Sequence, residues 1–173
     1  MSLIYGLPNL FVNAIATKLL SNDKLIKYLY YTSKEDADVD IFAKNLPSIG
    51  DLIDKNIYVG RRIPFVVDKV GAWLGIRICS YKPQYMKNGN LIKEVQANID
   101  IICHNDCQKT LRGTRDITIL TLVQDTLDGE DLEGIGEYRI ISTSEILGLP
   151  VEYSGYTIKI ETTGWSQNEK FKQ

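Results

Sequence analysis

The alternation of apolar and polar residues is clearest between Val95 and His104. Val95, Ala97, Ile99 and Ile101 share one parity, and Gln96, Asn98 and Asp100 the other. A period of two predicts a half-buried strand over 92–103. Farther on, Ile117, Leu120, Val123 and Leu127 recur at spacings of three and four, the stripe of an amphipathic helix. That helix is expected over about 107–128, starting between Cys107 and Thr114 and ending at a C-cap in Asp128-Gly129. A strand that runs directly into a helix is the unit on which the rest can pack.

Upstream, Leu7, Leu10, Phe11, Ala14, Ile15 and Leu19 keep helical spacing over 7–20, with Pro8 in the first turn. Ser21-Asn22-Asp23 breaks the pattern and supplies an N-cap for a second helix over 24–31. From Thr32 to Ile57 neither period persists. The expectation is a long loop with a short helical turn near 49–53, and loops of that length commonly carry binding segments. Strands are expected to resume at Ile63, with Ile63–Val70 forming a hairpin with 73–81 through Gly71-Ala72. Lys82–Asn90, with Pro83 and Asn88-Gly89-Asn90, reads as the tip of a second hairpin leading into 92–103. An acidic loop over 130–137, a strand over 138–142, a closing strand over 156–163 and a loose tail over 164–173 complete the chain.

These elements give one domain: a helical segment 1–31, a long loop 32–62, a core 63–163 and the tail 164–173. The fold class is α+β, an antiparallel or mixed sheet with a long hairpin, packed against one central helix and the N-terminal helices.

Composition changes the picture mainly by exclusion. The net charge of −2 and a pI near 5.5 argue against a phosphate-binding surface, and the basic runs at Arg61-Arg62 and 109–115 are short. No apolar run approaches the ~20 residues that span a bilayer, and the first residues lack the pattern of a secretory signal. Three cysteines at irregular positions do not form a disulfide framework, which suits a protein made in a reducing cytoplasm.

The sharpest cluster of chemistry-bearing residues is Cys103-His104-Asn105-Asp106-Cys107. Cys and His are zinc ligands, yet this is a single half-site, and adjacent Cys103 and His104 point to opposite faces of a strand. Cys103 reads as a small apolar group and His104 as a strand-end residue. A Cys-His nucleophile pair lacks an orienting third group. Glu130, Asp131, Glu133 and Glu137 match no calcium loop, and Gly134-Ile135-Gly136 is not a phosphate loop. No catalytic residue, metal or cofactor is expected. Tyr28, Tyr30 and Tyr31 read as core and interface residues, so the chain looks built to touch other proteins.

Three stretches carry a resemblance to the tail terminators of tailed bacteriophages, also called tail completion or neck proteins. They are the opening Leu19-Leu20-Ser21-Asn22-Asp23-Lys24-Leu25-Ile26-Lys27-Tyr28-Leu29-Tyr30-Tyr31, the long-tipped hairpin region 63–95, and the run from Ile99–His104 through 110–129 to Gly136-Glu137-Tyr138-Arg139-Ile140. The resemblance spans roughly 15–163, and the loops 33–62 and 130–137 depart from it. It leaves open a tail terminator, a head-closure adaptor or a ring component of a short-tailed phage. It implies a structural virion protein, not an enzyme, made in the host cytoplasm and placed at the tail or neck. Its implied partners are further copies of itself in a closed ring (a hexamer in many members), the tail tube protein and the head connector. Double-stranded DNA passes through the lumen, and no membrane is involved. The expected contact residues are Tyr85, Met86, Lys87, Asn88 and Asn90 at the hairpin tip, Ile41 and Phe42 in the long loop, and Trp165 in the tail. The other readings are a non-viral α+β adaptor that binds a protein, and a metal-binding protein using Cys103, His104 and Cys107.

Overall fold

The computed structural model describes residues 7–64, 69–85, 91–128, 132, 138–162 and 165–166. Two helices open the chain, α1 (Leu7–Leu20) and α2 (Asp23–Tyr30). The Asn22 side chain caps α2 by accepting from the backbone N–H groups of Lys24 and Leu25, as the Ser-Asn-Asp break predicts. Strands β1 (Ile57–Val59), β2 (Ala72–Tyr85) and β3 (Leu91–His104) follow, then two short strands, β4 (Lys109–Thr110) and β5 (Gly113–Thr114). Helix α3 (Arg115–Leu127) precedes β6 (Tyr138–Glu145), β7 (Tyr153–Thr162) and β8 (Trp165–Ser166).

The main sheet has the order β1-β2-β3-β7-β6, with β8 also on β3. β1 runs parallel to β2 and the other pairs are antiparallel. The fold is α+β with a mixed sheet. β3 sits inside it, and the predicted alternation holds: Val95, Ala97, Ile99 and Ile101 are all fully buried. With Leu74 and Ile76 of β2 and Ile158 and Ile160 of β7 they form one face. Phe11, Ile15 and Leu19 of α1 and Leu25 and Leu29 of α2 pack into the same core. Each such side chain contributes about 1.5–3 kcal/mol of burial.

Gly155 shows how tightly β3 and β7 lie together. A Cβ there would overlap the carbonyl oxygen of Ile101, so only glycine fits.

The helix α3 departs from its expected start and phase. Residues 105–107 form a 3-10 turn and 109–114 a small β-hairpin, so the helix begins at Arg115, not between 107 and 114. Its buried row is Arg115, Ile119, Val123 and Leu127, an i, i+4 series, while Ile117 is 50% exposed. An arginine at the head of the buried row hid the phase, since a sequence pattern counts arginine as polar. The helix ends on Asp128, with φ −75. Gly129 lies outside the described residues.

The 32–62 stretch is more ordered than a long loop. It holds 3-10 turns at Lys34–Asp38, Ile41–Ala43 and Ile49–Asp51, the last inside the turn expected near 49–53. The core strands therefore begin at Ile57 rather than Ile63. The Asn56 amide donates to the carbonyls of Leu29 and Ala72 at 3.1 and 2.9 Å, tying β1 to both α2 and β2. The 63–81 hairpin does not form as expected. Ile63, Pro64, Lys69 and Val70 lie in no strand, and 65–68 lie outside the described residues. Ile63 instead packs across Gly75, beside a second apolar cluster of Tyr58, Trp73 and Tyr153.

The β2–β3 hairpin matches the second one predicted, with a bulge between Ile78 and Ser80. β6 runs on to Glu145, beyond the expected 138–142. The start of the tail is not loose, since Trp165 and Ser166 pair with Lys93 and Ile92.

Candidate assembly surface

The sheet face turned away from the helices carries the Tyr58–Trp73–Tyr153 cluster at one end and is polar and cross-braced beyond it. Arg77 pairs with Asp100 at 3.0 Å, and Thr157 donates to the same carboxylate at 2.7 Å. The Arg139 guanidinium donates to Glu161, and the Gln96 amide does so at 3.1 Å. These groups satisfy one another across four strands, so this part of the face is a braced polar surface.

The borders of the sheet are different. β6 is an outer strand whose last five residues, Ile141–Glu145, are exposed. It contains no proline or lysine, and it carries Arg139, Glu145 and a β-bulge between Ile140 and Ser142. The turn after it, Ile146–Glu152, presents Leu147 and Val151, each 85% exposed. These are the most exposed large apolar side chains among the described residues. On α3, which leans on β6 through a Gln124–Thr143 hydrogen bond of 3.0 Å, Ile117 is also exposed.

At the end of the sheet where β2 begins, the chain leaving α2 lines a cleft of about 600 Å³ with Tyr30, Tyr31 and Val70. The two tyrosine rings meet edge to face at 5.1 Å. Lys44 places its ammonium 4.6 Å over the Tyr31 ring and pairs with Asp36. Burial pushes the Asp36 carboxyl up, but hydrogen bonds from Lys44 and Ser33 outweigh it and hold its pKa below the ordinary value. That clasp closes the 33–44 segment into a loop of fixed shape.

Of the expected contact residues, Ile41 is only 1% exposed and belongs to the core, so its side chain is not presented to a partner. Phe42 is half-buried, between the Tyr28 ring at 5.2 Å and the Arg112 guanidinium at 4.6 Å. Together they anchor the 32–62 segment. Tyr85 ends β2, and Trp165 opens β8 on the same outer stretch of β3. Met86, Lys87, Asn88 and Asn90 lie outside the described residues.

The Cys–His cluster is used inside the fold. Cys103 is buried in the core. His104, at the strand end as expected, accepts at Nδ1 from the N–H of Asp106, and its ring stands edge-on to Tyr153 at 5.0 Å. The Cys107 thiol donates to the carbonyls of His104 and Gly71 at 3.2 and 3.3 Å. Burial raises both thiol pKa values, that of Cys103 far above the ordinary range. Among the described residues, no group of three or more His, Cys, Asp and Glu side chains is placed to hold a metal ion. Among them, no helix is long and apolar enough to cross a membrane.

Sequence reasoning missed Leu147, Val151 and the tyrosine cleft. The signal for the first two was present: Ile146-Leu147-Gly148-Leu149-Pro150-Val151 places four aliphatic residues in a turn marked by Gly and Pro. Nothing local marks the cleft, because Val70 reaches it from a different part of the chain.

No curated protein matches the chain. A protein-family model, YomW, matches residues 22–162, which takes in α2, α3 and the sheet strands from β1 to β7. The chain therefore belongs to the YomW family, whose name comes from a prophage gene, and it is a phage-related protein.

Proposed function

We infer that the chain is a structural virion protein that assembles as a ring at the head–tail joint of a tailed phage, capping the tail and meeting the head connector. The observation that carries this reading is the open β6 border. An eight-residue edge strand, bulged at exposed Ile141 and followed by a turn with exposed Leu147 and Val151, forms a border with apolar groups for a second copy to cover. A ring of identical copies covers such a border without leaving a free one, provided that unlike surfaces meet and the rotation closes. Membership of a phage-related family supports the setting, and the long β2–β3 hairpin supplies a projection for axial partners such as the tail tube.

Electron microscopy of purified phage particles, with the protein located by a specific antibody or by its density, tests the reading. A ring at the junction of head and tail is the expected result. A protein abundant in infected cells and missing from purified particles would favour the adaptor reading instead.

A further inference from the structure

We propose that Leu147 and Val151 of one copy seat in the Tyr30–Tyr31–Val70 cleft of the next, and that this contact closes the ring. The proposal rests on the ring reading above, which supplies the second copy.

The projecting turn is firmly held. The Asn105 side chain donates to the Val151 carbonyl at 2.7 Å, and its backbone N–H to the Glu152 carbonyl at 2.8 Å. Tyr153 N–H donates to Pro150 and Ile146 N–H to Gly155, each at 2.9 Å. Gly148, at φ +80, supplies the left-handed residue that the tight turn needs. The two aliphatic side chains are thus presented on a fixed backbone, which lowers the entropy lost on docking. Two large apolar groups held in water at 85% exposure have a hydrophobic reason to find a cover.

The cleft complements them in shape class and in charge. Its volume of about 600 Å³ lies within the range of clefts that bury small ligands. Tyr30, Tyr31 and Val70 give it apolar walls, and Lys34 lines it together with the Lys44–Asp36 pair. Lys69 adjoins Val70 and lines the neighbouring hollow, which shares Tyr30, Thr32 and Val70. The turn carries the opposite sign, with exposed Glu145 before it and exposed Glu152 after it. An apolar contact framed by acidic groups on one side and lysines on the other selects partner and register.

The two features are unlike surfaces, as a ring contact needs. The turn enters β7 at Tyr153, which pairs with His104 at the end of β3. The cleft adjoins Gly71, whose carbonyl receives the His104 N–H. Both features therefore lie at the same end of the strands. One stands on the β6–β7 side and the other on the β2 side, with β3 between them, so the contact pairs unlike surfaces and closes a ring where the rotation from copy to copy closes.

The test uses the full chain with Cys79→Ser, which removes the exposed native thiol. Adding Val151→Cys and Val70→Cys and then oxidising should give a ladder of covalent oligomers that stops at one size. That size should match the mass from light scattering. Pairing Val151→Cys with Thr121→Cys should give no ladder. Separately, Glu152→Lys should weaken association about tenfold in sedimentation, and adding Lys69→Glu should restore it, with unchanged unfolding midpoints. Oligomers that show neither the ladder nor the rescue would overturn this contact and leave the ring to another surface. A monomer at every concentration, with no cross-link, would also overturn it. Imaging of the virion would then judge the ring reading on its own.

Discussion

The guanidinium of Arg115 donates to the carbonyl of Tyr28 at 2.6 Å, joining the first turn of α3 to the last turn of α2. Its Nε also donates to the Cys107 carbonyl at 2.7 Å. Arg115 is 0% exposed, and its charged group lies over the Tyr28 ring, 5.6 Å from the centroid. The contact at the C-terminal end of α2 places positive charge where the helix dipole is negative. One side chain thus fixes the angle between two helices and the turn that feeds one of them.

Replacing Arg115 by Met keeps most of the volume and leaves two buried carbonyls without their donor. The expected loss is about 2–4 kcal/mol, measured by denaturant unfolding. Arg115→Lys should recover less than half of it, because one ammonium lacks the planar fork that reaches both carbonyls.

The phase of α3 gives a second test. Val123→Ala opens a cavity against the sheet and should cost about 2–3 kcal/mol. Ile117→Ser lies on the exposed side and should stay within about 0.5 kcal/mol. Equal losses in thermal unfolding would mean that the helix is rotated from the position described.

That contrast shows what the sequence made legible. The β3 strand was readable because each of its neighbours obeys the same alternation, so local pattern and burial coincide. The α3 helix was readable in extent near its end, yet its buried row begins with Arg115, whose partners lie 87 and eight positions away. Pattern reading cannot assign that burial. The same reason hides β1: its three residues make a strand by pairing with the distant β2, and Asn56 bridges α2 and β2 beside them. For the assembly surface, Leu147 and Val151 were missed although their apolar turn is local, while the cleft depends on Val70 meeting Tyr30 and Tyr31 in space.

Acid should loosen the 33–44 segment before the rest of the chain. The Asp36 side chain is 4% exposed and pairs with Lys44, and its pKa lies below its value in the unfolded chain. A carboxylate held lower in the folded state adds stability that is complete at neutral pH and is lost as pH falls through the folded pKa. Hydrogen exchange should therefore show protection of 33–44 at neutral pH and its loss in acid. Asp36→Asn should remove that pH dependence and cost about 1 kcal/mol at neutral pH.

Thiol reactivity should divide the three cysteines sharply. Cys79 is exposed at the β2 bulge, whereas Cys103 and Cys107 are buried with raised pKa values. Since the thiolate is the reactive species, a raised pKa and closed access act in the same direction. In the native protein at neutral pH, one equivalent of an aromatic disulfide reagent should react promptly, at Cys79. The other two should react only at the rate of unfolding, and all three at once in denaturant. Fast native labelling of Cys107 would show that the 105–107 turn opens readily, and the hydrogen bonds from its thiol to Gly71 and His104 would then contribute little to holding it closed.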